Sequence, residues 1–327
     1  MGGKKKKMLK ITIIIFCAIL IIISISVLAL YINHNSKLNN ENTVYSPPGE
    51  LFEIKDHQFH VYSKGQGDHT LVFLSGHGTS YPTLDFKPLW MQFVDDYRII
   101  VIEKSGYGWS DVSNSPRDID TMLEETRSAL SLAGETGPYI LFPHSMSGLE
   151  AIYWAQQYPD EVDAIIGLDP LIPDTVELLP KISNSQLNMT FFISRIGLNR
   201  LIPESELSNT LPLINSQILT DDEQDEYIAM FYRSSLTKNM LEEIRHLNEN
   251  AKTINLLDIP TSTPMYFFIS SDQNESVSGW KDALVNYIEN ITLGESMELS
   301  TGHYVHHETS ETIAEEVKIF IESIPQN

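Results

Sequence analysis

The first feature of the hydrophobic pattern is one unbroken apolar run close to the N-terminus. Residues 11–33 contain no charged side chain, and most of them are isoleucine, leucine, valine, alanine or phenylalanine. About 20 apolar residues in a helix cross the ~30 Å hydrocarbon core of a bilayer. The run therefore predicts a transmembrane helix. A buried core helix is disfavoured because a block of lysines at 4–7 directly precedes the run.

Short apolar runs recur from residue 51 onward and predict strands. LFEI at 51–54 and QFHVYS at 58–63 lie close enough together to predict a hairpin. The remaining runs are TLVFLS (70–75), RIIVIE (98–103), YILFP (139–143), DAIIGLD (163–169) and MYFFIS (265–270), with a last strand expected at 296–300. Short runs that are apolar on both faces are typical of a central, mostly parallel sheet.

Helical spacing of the apolar positions appears between these strands. Residues 118–133 and 311–323 each place apolar side chains on one face, and alternation of strands and helices predicts a doubly wound α/β fold. The alternation stops between 171 and 257, where helix-like pieces at 189–199 and 222–249 replace the strands. We therefore expect an inserted helical cap there.

The chain accordingly divides into a few segments. Residues 34–50 are polar, rich in asparagine and end in Pro-Pro-Gly, as expected of a stalk between a membrane and a domain. The predicted segments are a basic cytoplasmic tail (1–10), a transmembrane anchor (11–33), the stalk (34–50), an α/β core (51–170 and 258–327) and a helical cap (171–257).

Charge adds a direction to this arrangement. The formal charge is −22, and the first ten residues hold five of the 22 basic side chains, which leaves −27 on the rest of the chain. So acidic a body repels phosphate backbones and excludes nucleic acid as a partner. The lysines at 4–7 stay cytoplasmic by the positive-inside bias, so the body is expected outside the cell membrane. The alternative is a cleaved signal peptide, for which the run is long and lacks a small-x-small site.

The single cysteine supports an exported body without cross-links. Cys17 lies inside the apolar run, so the rest of the chain can form no disulfide, and its stability must come from a hydrophobic core. We interpret Cys17 as a small apolar residue of the anchor rather than a lipidation site.

A serine stands between a predicted strand and a predicted helix in the segment 143–148, PHSMSG. Such a turn holds the serine oxygen above the sheet, with the N–H groups of the helix start behind it. The segment resembles the Gly-x-Ser-x-Gly nucleophile elbow of the α/β-hydrolase family, with Ser145 as the nucleophile. Pro143 and Ser147 replace the two glycines. A serine at a helix start is also an ordinary N-cap, so its partners decide its role.

Two loops resemble further parts of that family. Ser-Gly-His-Gly-Thr at 75–79 is similar to its His-Gly loop, which implies that the backbone N–H groups of Thr79 and Met146 bind an oxyanion. The alternative is a plain glycine-rich turn. Glu-Lys-Ser-Gly-Tyr-Gly-Trp-Ser at 103–110 is similar to the Asp-Arg-x-Gly-Tyr-Gly-x-Ser loop; we assign it an architectural role, with Trp109 beside the pocket.

The general base is expected just after the last strand. Gly302 and His303 match the Gly-His pair of the family, which implies that His303 is the base. His306 and His307 are rivals for that role. A metal cluster formed by these histidines with Glu308 is a further alternative, although no second set of residues with metal-ligand spacing is visible.

The acid that orients the histidine is expected in the order Ser, acid, His. Asp272, just past the strand at 265–270, occupies the usual place and is our first choice. Asp169, at the end of the preceding strand, and Glu275 remain alternatives.

Together the resemblance covers roughly residues 51–325. It implies an α/β-hydrolase fold, a doubly wound and mostly parallel eight-stranded sheet with an inserted helical cap. It also implies acyl transfer from a small ester or amide to water, with no cofactor and no metal. Phe191, Phe192 and Ile196 in the cap suggest a hydrophobic substrate moiety or only core packing. The other functions left open are a proline-iminopeptidase-like peptidase and a membrane-tethered binding protein without turnover.

Overall fold

The structure is a computed structural model that describes residues 2–214 and 216–325. Within these residues, eight strands form one sheet. Their order is β1-β2-β4-β3-β5-β6-β7-β8. The bounds are β1 Glu50–Ile54, β2 His57–Lys64, β3 Thr70–Leu74, β4 Arg98–Glu103, β5 Tyr139–Pro143, β6 Val162–Leu168, β7 Met265–Ser270 and β8 Gly294–Leu299. Each strand coincides with a run predicted from the hydrophobic pattern, so the predicted α/β fold class is confirmed.

The pairing is parallel everywhere except at one edge of the sheet. β1 pairs with β2 and β2 with β4 in antiparallel fashion, whereas β4, β3, β5, β6, β7 and β8 run parallel to one another. The central strands are apolar on both faces because helices cover both sides. Loops that leave the carboxyl ends of β3, β5 and β6 therefore meet at one edge, where ligands bind in open α/β sheets.

Helices follow the strands in the order expected of a doubly wound sheet. Their bounds are α1 Gly2–Val44, α2 Pro82–Asp85, α3 Lys87–Trp90, α4 Ile119–Leu132, α5 Ser147–Gln157, α6 Pro173–Val176, α7 Asn184–Arg195, α8 Glu204–Thr210, α9 Asp221–Ser234, α10 Lys238–Asn255, α11 Ser271–Ser276, α12 Trp280–Ile288, α13 Val305–Glu308 and α14 Ser310–Ser323. One core cluster lies under α4, α5, α10 and α12, and a second lies under α3, α13 and α14.

Helix α1 continues beyond the expected end of the apolar segment. Residues 34–44, expected to belong to a stalk, extend the same helix, which stops three residues before Pro47. No proline or glycine interrupts the chain between residues 4 and 46, so nothing breaks the helix earlier. Within the described residues, α1 is the one helix long and apolar enough to cross a membrane.

The described part of 171–257 is helical, with α6 to α10 and a 3-10 turn at Leu198–Leu201. The expected single helix at 222–249 is instead two helices, α9 and α10. Thr237 separates them because its side chain accepts the N–H of Met240 and caps α10. Thr220 and Glu223 form a capping box at the start of α9.

Candidate active site

The serine singled out by its sequence context occupies a strained turn between β5 and α5. Ser145 has φ 52°, a left-handed conformation that costs a residue with a side chain about 1–3 kcal/mol. Its carbonyl accepts the N–H of Leu171 at 2.7 Å, and its N–H donates to the carbonyl of Leu168 at 3.3 Å. The loop after β6 thus holds the turn in place and keeps the serine at the end of the strand.

Close backbone approach around this turn explains two glycines. A Cβ at Gly148 would lie 2.2 Å from the carbonyl oxygen of Leu171, and one at Gly76 would lie 2.9 Å from Cβ of Ser145. Both distances are too short for real contacts. The turn therefore requires its glycine at position 148, one residue later than the Gly-x-Ser-x-Gly pattern places it.

Both departures from that pattern are accommodated. Pro143 ends β5, and the next N–H, that of His144, donates to the carbonyl of Leu74 at 3.0 Å, so the sheet continues past the proline. Ser147 is buried, and its hydroxyl donates to the carbonyl of Ser75. The hydroxyl thereby joins the elbow to the loop that follows β3.

Replacing Gly148 by alanine is expected to destabilise the protein by about 1–3 kcal/mol, because the new methyl group must displace the backbone at Leu171. Urea unfolding in detergent micelles, followed by tryptophan fluorescence, measures the effect. Gly302→Ala is the matched control, since a Cβ there meets nothing within 4 Å. Equal midpoints for the two variants would contradict the close approach at residue 148.

Three polar side chains form a continuous chain of hydrogen bonds at the carboxyl edge of the sheet. His303 Nε2 lies 2.8 Å from Ser145 Oγ, and His303 Nδ1 lies 2.6 Å from Asp169 Oδ2. The carboxylate can only accept, so Nδ1 carries the proton and Nε2 is left to accept from the serine hydroxyl. Asp169 is fully buried, whereas a quarter of the His303 side chain is exposed. A substrate can therefore reach the serine and histidine but not the carboxylate.

The second oxygen of Asp169 is also held. Its Oδ1 accepts the indole N–H of Trp280 at 2.8 Å and the backbone N–H of Ser270 at 3.0 Å. The Trp280 ring also meets His303 edge-on, with centroids 6.2 Å apart. These contacts fix the carboxylate so that only Oδ2 faces the imidazole. Neither Trp280 nor Ser270 could be identified as a candidate from the sequence, because their roles depend on how α12 and β7 pack.

The contacts contradict the prediction that Asp272 is the partner of His303. Asp272 lies in the first turn of α11, is exposed, and accepts a hydrogen bond from Ser271 at 3.1 Å. Glu275, the third candidate, is exposed on the same helix. Strand β7 ends at Ser270, and the N–H of Ser270 donates to Asp169. Asp169 therefore occupies the position beside the imidazole. The carboxylate that contacts His303 thus follows β6, one strand earlier than expected.

The two expected oxyanion donors belong to the elbow and to the loop that packs against it. Met146 follows Ser145 directly, and Thr79 belongs to the loop whose Gly76 packs against Ser145. Within the described residues, neither N–H donates to a protein acceptor. Gly78 has φ 82°, which turns the loop just before Thr79. Both N–H groups are thus left without a protein acceptor among the described residues, as the predicted role requires.

His144, which the elbow pattern leaves unspecified, contacts the backbone of His303. Its ring is buried, and Nε2 lies 3.1 Å from the backbone oxygen of His303. Burial, together with the charges of His303 and His306, lowers the pKa of His144 well below its ordinary value. It is therefore neutral, and its Nε2–H donates to the loop that carries the base.

The rival bases form a separate buried cluster. His306 Nε2 lies 3.0 Å and His307 Nε2 lies 3.2 Å from the carboxylate of Asp85. Burial and the neighbouring His307 lower the pKa of His306 to about 4, although Asp85 opposes this. Burial alone would raise the pKa of Asp85, but the two histidines hold it well below its usual range. The Nε2 atoms of both histidines therefore contact the buried carboxylate of Asp85 and not Ser145.

The same three residues, Asp85, His306 and His307, have donor atoms that could hold a metal ion. These atoms all lie within 4.8 Å of one another. Metal-bound histidines usually donate their second ring N–H to an acceptor, but Nδ1 of both residues has no hydrogen-bond partner in the described structure. A carboxylate that accepts hydrogen bonds from the Nε2–H groups of two histidines accounts for the contacts. Glu308, expected in such a cluster, instead accepts a hydrogen bond from Thr301 at 3.1 Å.

This cluster predicts a loss of stability in acid. The pKa of His306 is about 4 when folded and about 6.5 when unfolded, so its contribution is present above pH 6.5 and is lost as the pH falls towards 4. The shift corresponds to about 3 kcal/mol. We expect His306→Gln to flatten the free energy of unfolding between pH 7 and 4.5. His69→Gln, outside the cluster, is the control; the same slope in both variants would contradict the assignment.

A small cavity lined by Ile119, Met122 and Leu149 opens beside Met146. Buried ionisable side chains lie on its wall. Lys104 Nζ is 4.0 Å from Glu150 Oε2, and Glu243 accepts the Tyr107 hydroxyl at 2.5 Å.

Each of these two glutamates keeps one buried oxygen that accepts no hydrogen bond among the described residues. Burial raises the pKa of Glu150. The three cap residues expected to bind a hydrophobic substrate moiety have different surroundings. Phe191 packs against the cluster that contains Tyr107, Ile196 is buried, and Phe192 is half-exposed.

Known proteins resemble this chain in sequence. Residues 74–275 match the model of the family described as "Serine aminopeptidase, S33". The chain is 36% identical over 272 residues to the uncharacterized protein YbdG of Bacillus subtilis, a match that covers 82% of each chain. It is 26% identical over 109 residues to the 2-(acetamidomethylene)succinate hydrolase of Mesorhizobium japonicum, which covers 33% of this chain and 38% of the relative.

Solved structures resemble the fold. A mutant epoxide hydrolase from Bacillus megaterium has a TM-score of 0.63 at 17% identity and covers 84% of this chain and 100% of its own. An epoxide hydrolase from Vigna radiata has a TM-score of 0.62 at 17% identity, covering 84% and 97%. A loop variant of a haloalkane dehalogenase from Bradyrhizobium elkanii has a TM-score of 0.59 at 15% identity, covering 84% and 96%. Such low identities show the shared fold alone.

Proposed function

The chain belongs to the serine aminopeptidase S33 family of α/β hydrolases, and from this premise we propose that it is an extracytoplasmic serine hydrolase cleaving an ester or amide bond. The observation that carries the proposal is the chain of contacts from Ser145 through His303 to Asp169. Membership of the family establishes a hydrolase; the nucleophile, the bond and the location are the proposed part.

The proposed mechanism is acyl transfer to water. Ser145 Oγ attacks the carbonyl carbon while His303 Nε2 takes its proton, and Asp169 stabilises the resulting imidazolium. The N–H groups of Thr79 and Met146 hold the oxyanion. His303 then gives the proton to the leaving group, and the same nitrogen activates the water that releases the acid and restores the serine.

The choice of a carbonyl substrate follows from the nucleophile. Attack of a hydroxyl on an epoxide or an alkyl halide would leave an alkyl ether on Ser145, which a histidine and water cannot hydrolyse. Attack on a carbonyl leaves an acyl ester, which they can. The small cavity beside Met146, whose wall is partly apolar, is where we expect the acyl group of such an intermediate to extend. An ester with a small hydrophobic acyl group fits these features best.

A panel of p-nitrophenyl esters of increasing acyl length tests this proposal. We expect turnover of the short esters, a decline once the acyl chain outgrows the cavity beside Met146, and no turnover by Ser145→Ala. A folded protein that hydrolyses none of the esters and none of the aminoacyl amides would favour the binding protein that uses this fold without turnover.

An aminopeptidase is the second candidate, favoured by the buried Oε1 of Glu243 in the same cavity, which accepts no hydrogen bond among the described residues. Glu243 would bind the ammonium group of an aminoacyl substrate at that place. If so, Glu243→Gln should lower kcat/KM for an aminoacyl p-nitroanilide by about tenfold or more, the equivalent of one charged hydrogen bond. It should leave the p-nitrophenyl ester of the matching uncharged acyl group within about twofold. Equal loss on both substrates would contradict ammonium recognition.

The proposed location rests on α1 and the lysines ahead of its apolar part. In this proposal residues 11–33 cross the cell membrane once and the enzyme lies outside. Protease added to intact cells is then expected to digest the body, and its protection would reverse the orientation. Removal of α1 from the mature protein would instead identify it as a cleaved signal sequence.

A further inference from the structure

The outer end of α1 is packed against the cap. His34 is 2% exposed, and its Nδ1 accepts a hydrogen bond from Arg200 at 2.9 Å. A Cβ at Gly197 would lie 2.4 Å from Cβ of His34, so the two backbones approach closely there. Arg200 also binds both carboxylate oxygens of Glu41, at 2.8 and 2.7 Å. The anchor helix and the cap are therefore joined by direct contacts.

These contacts follow one stripe of the helix. Residues 34, 38, 41, 42 and 45 recur at helical spacing, and four of them line one cavity with Trp109 and Met230. The body thus lies beside residues 34–45 rather than beyond their end. Because α1 is one continuous helix, its direction in the membrane also sets how the cap is presented to the bilayer.

The distance from the membrane follows from the helix rise. His34 is two residues beyond Ile32, the last apolar residue of the run, or about 3 Å along the axis. The headgroup layer is roughly 5–8 Å thick on each side of the hydrocarbon core. Cap residues that touch His34 therefore lie at the depth of the lipid headgroups, whereas those near Tyr45 lie about 16 Å further out.

Large apolar side chains are exposed on the 3-10 turn that carries Arg200 and on α7, the helix that leads into it. Met189 and Phe192, three residues apart on α7, are 59% and 49% exposed. Leu198 and Leu201, in the 3-10 turn on either side of the Arg200 contact, are 37% and 63% exposed. We call these four residues the cap ridge. Their exposure to water would be unfavourable, whereas the interface of a bilayer accepts such side chains.

The charge of the surrounding segment is suited to a membrane. Residues 178–203 contain three basic side chains and no acidic one, in a chain that carries −27 beyond its tenth residue. An acidic surface is repelled by lipid phosphates, whereas a neutral to basic one is not. Even with Arg200 paired to Glu41, this segment carries no net negative charge, so a bilayer repels it less than it repels the acidic body as a whole.

We propose that the cap ridge inserts into the headgroup region of the bilayer that α1 crosses, so that the cap lies on the membrane surface. The proposal rests on the membrane anchor proposed above and goes beyond it. Phe191, next to the ridge on α7, packs against the cluster of Tyr107, Leu236 and Met240, and Tyr107 in turn donates to Glu243 on the wall of the cavity beside Met146. Helix α7 thus lies between the lipid and the site, which provides a short path for an amphiphilic ester that partitions into the membrane.

Single labelled cysteines in the full chain test this placement. Cys17→Ser removes the native thiol, and Met189→Cys, Leu201→Cys and the control Leu132→Cys each receive an environment-sensitive fluorophore. Leu132 is 54% exposed at the end of α4, at the opposite edge of the sheet from the cap. The proteins are reconstituted in phosphatidylcholine vesicles with a minor fraction of phosphatidylglycerol. Lipids spin-labelled near the headgroup, lipids labelled deep in the acyl chain, and aqueous iodide serve as quenchers.

We expect the shallow lipid label to quench residues 189 and 201 severalfold more strongly than residue 132, which iodide should quench best. A fluorophore at native Cys17 reports on the anchor and should respond to the deep label. Strong quenching at Cys17 with equal quenching at 189, 201 and 132 would overturn the ridge while leaving the anchor intact. No lipid quenching at Cys17 would overturn both. Shielding of 189 and 201 from lipid and iodide alike would show a protein partner, such as a second copy, and would also overturn the proposal.

Discussion

Replacing Ser145 by alanine is expected to lower kcat for the best ester substrate by about 10⁵-fold or more, because no acyl-enzyme can form. KM should change little, since the serine hydroxyl contributes to the reaction rather than to ground-state binding. The oxyanion donors Thr79 and Met146 remain, so a residual rate above that in water is expected. Steady-state kinetics on the p-nitrophenyl esters measure the effect.

Ser271→Ala is the matched control for this variant. That serine also lies at the carboxyl edge of the sheet, but its hydroxyl contacts Asp272 rather than the imidazole. We expect its kcat to stay within about twofold of the wild type, since surface changes away from special contacts have small effects. An active Ser145→Ala variant would mean that another group performs the attack.

Asp169→Asn is expected to lower kcat by about 10⁴-fold while the fold is kept. The amide group has the same shape, but its NH₂ group cannot accept the Nδ1–H of His303. The imidazole then adopts the other tautomer, and its Nε2 can no longer take the serine proton. The loss should appear in kcat rather than in KM, because Asp169 is fully buried and cannot touch the substrate.

Asp272→Asn separates the two assignments of the acid. Asp272 is exposed on α11 and bonded to Ser271, so we expect its variant to keep kcat within about twofold. Unfolding curves of both asparagine variants show whether a loss of activity reflects loss of fold. A large fall in kcat for Asp272→Asn with a small one for Asp169→Asn would restore the choice based on chain order.

The strands could be predicted because the sheet requires a simple pattern. Each parallel strand is covered by helices on both faces, so each appears as a short apolar run such as RIIVIE at 98–103. The cap was expected where that pattern stops. The break between α9 and α10 at Thr237 is less visible, because the apolar spacing continues on both sides of the capping residue.

The sequence does not distinguish Asp169 from Asp272 as the carboxylate beside His303, because both residues follow a buried strand. What distinguishes them is three-dimensional: the N–H of Ser270 and the indole of Trp280, 111 residues away from Asp169 in the chain, hold one carboxylate and not the other. The stretch DAIIGLD does contain a signal, since its last aspartate directly follows an apolar strand that is buried from Ala164 to Leu168 and, being buried itself, has to be paired.

Other contacts also depend on residues far apart in sequence. Asp85 and His306 are 221 residues apart, and nothing local announces that α2 brings the carboxylate to the histidine. Arg200 and Glu41 are 159 residues apart and join the cap to a segment whose composition suggests a stalk. Helix α1 extends through that segment because the nearest helix breaker is Pro47, and the cap supplies partners for its polar side chains.

Mass spectrometry of the folded wild-type protein after reaction with a fluorophosphonate tests the central claim most directly. The probe forms a stable adduct only with a serine that a neighbouring base activates. We predict one adduct on the peptide containing Ser145, strong loss of labelling in Asp169→Asn, normal labelling in Asp272→Asn and none in Ser145→Ala. An unlabelled but folded wild type, or an adduct that persists in Ser145→Ala, would contradict the assignment of Ser145, His303 and Asp169 as the catalytic chain.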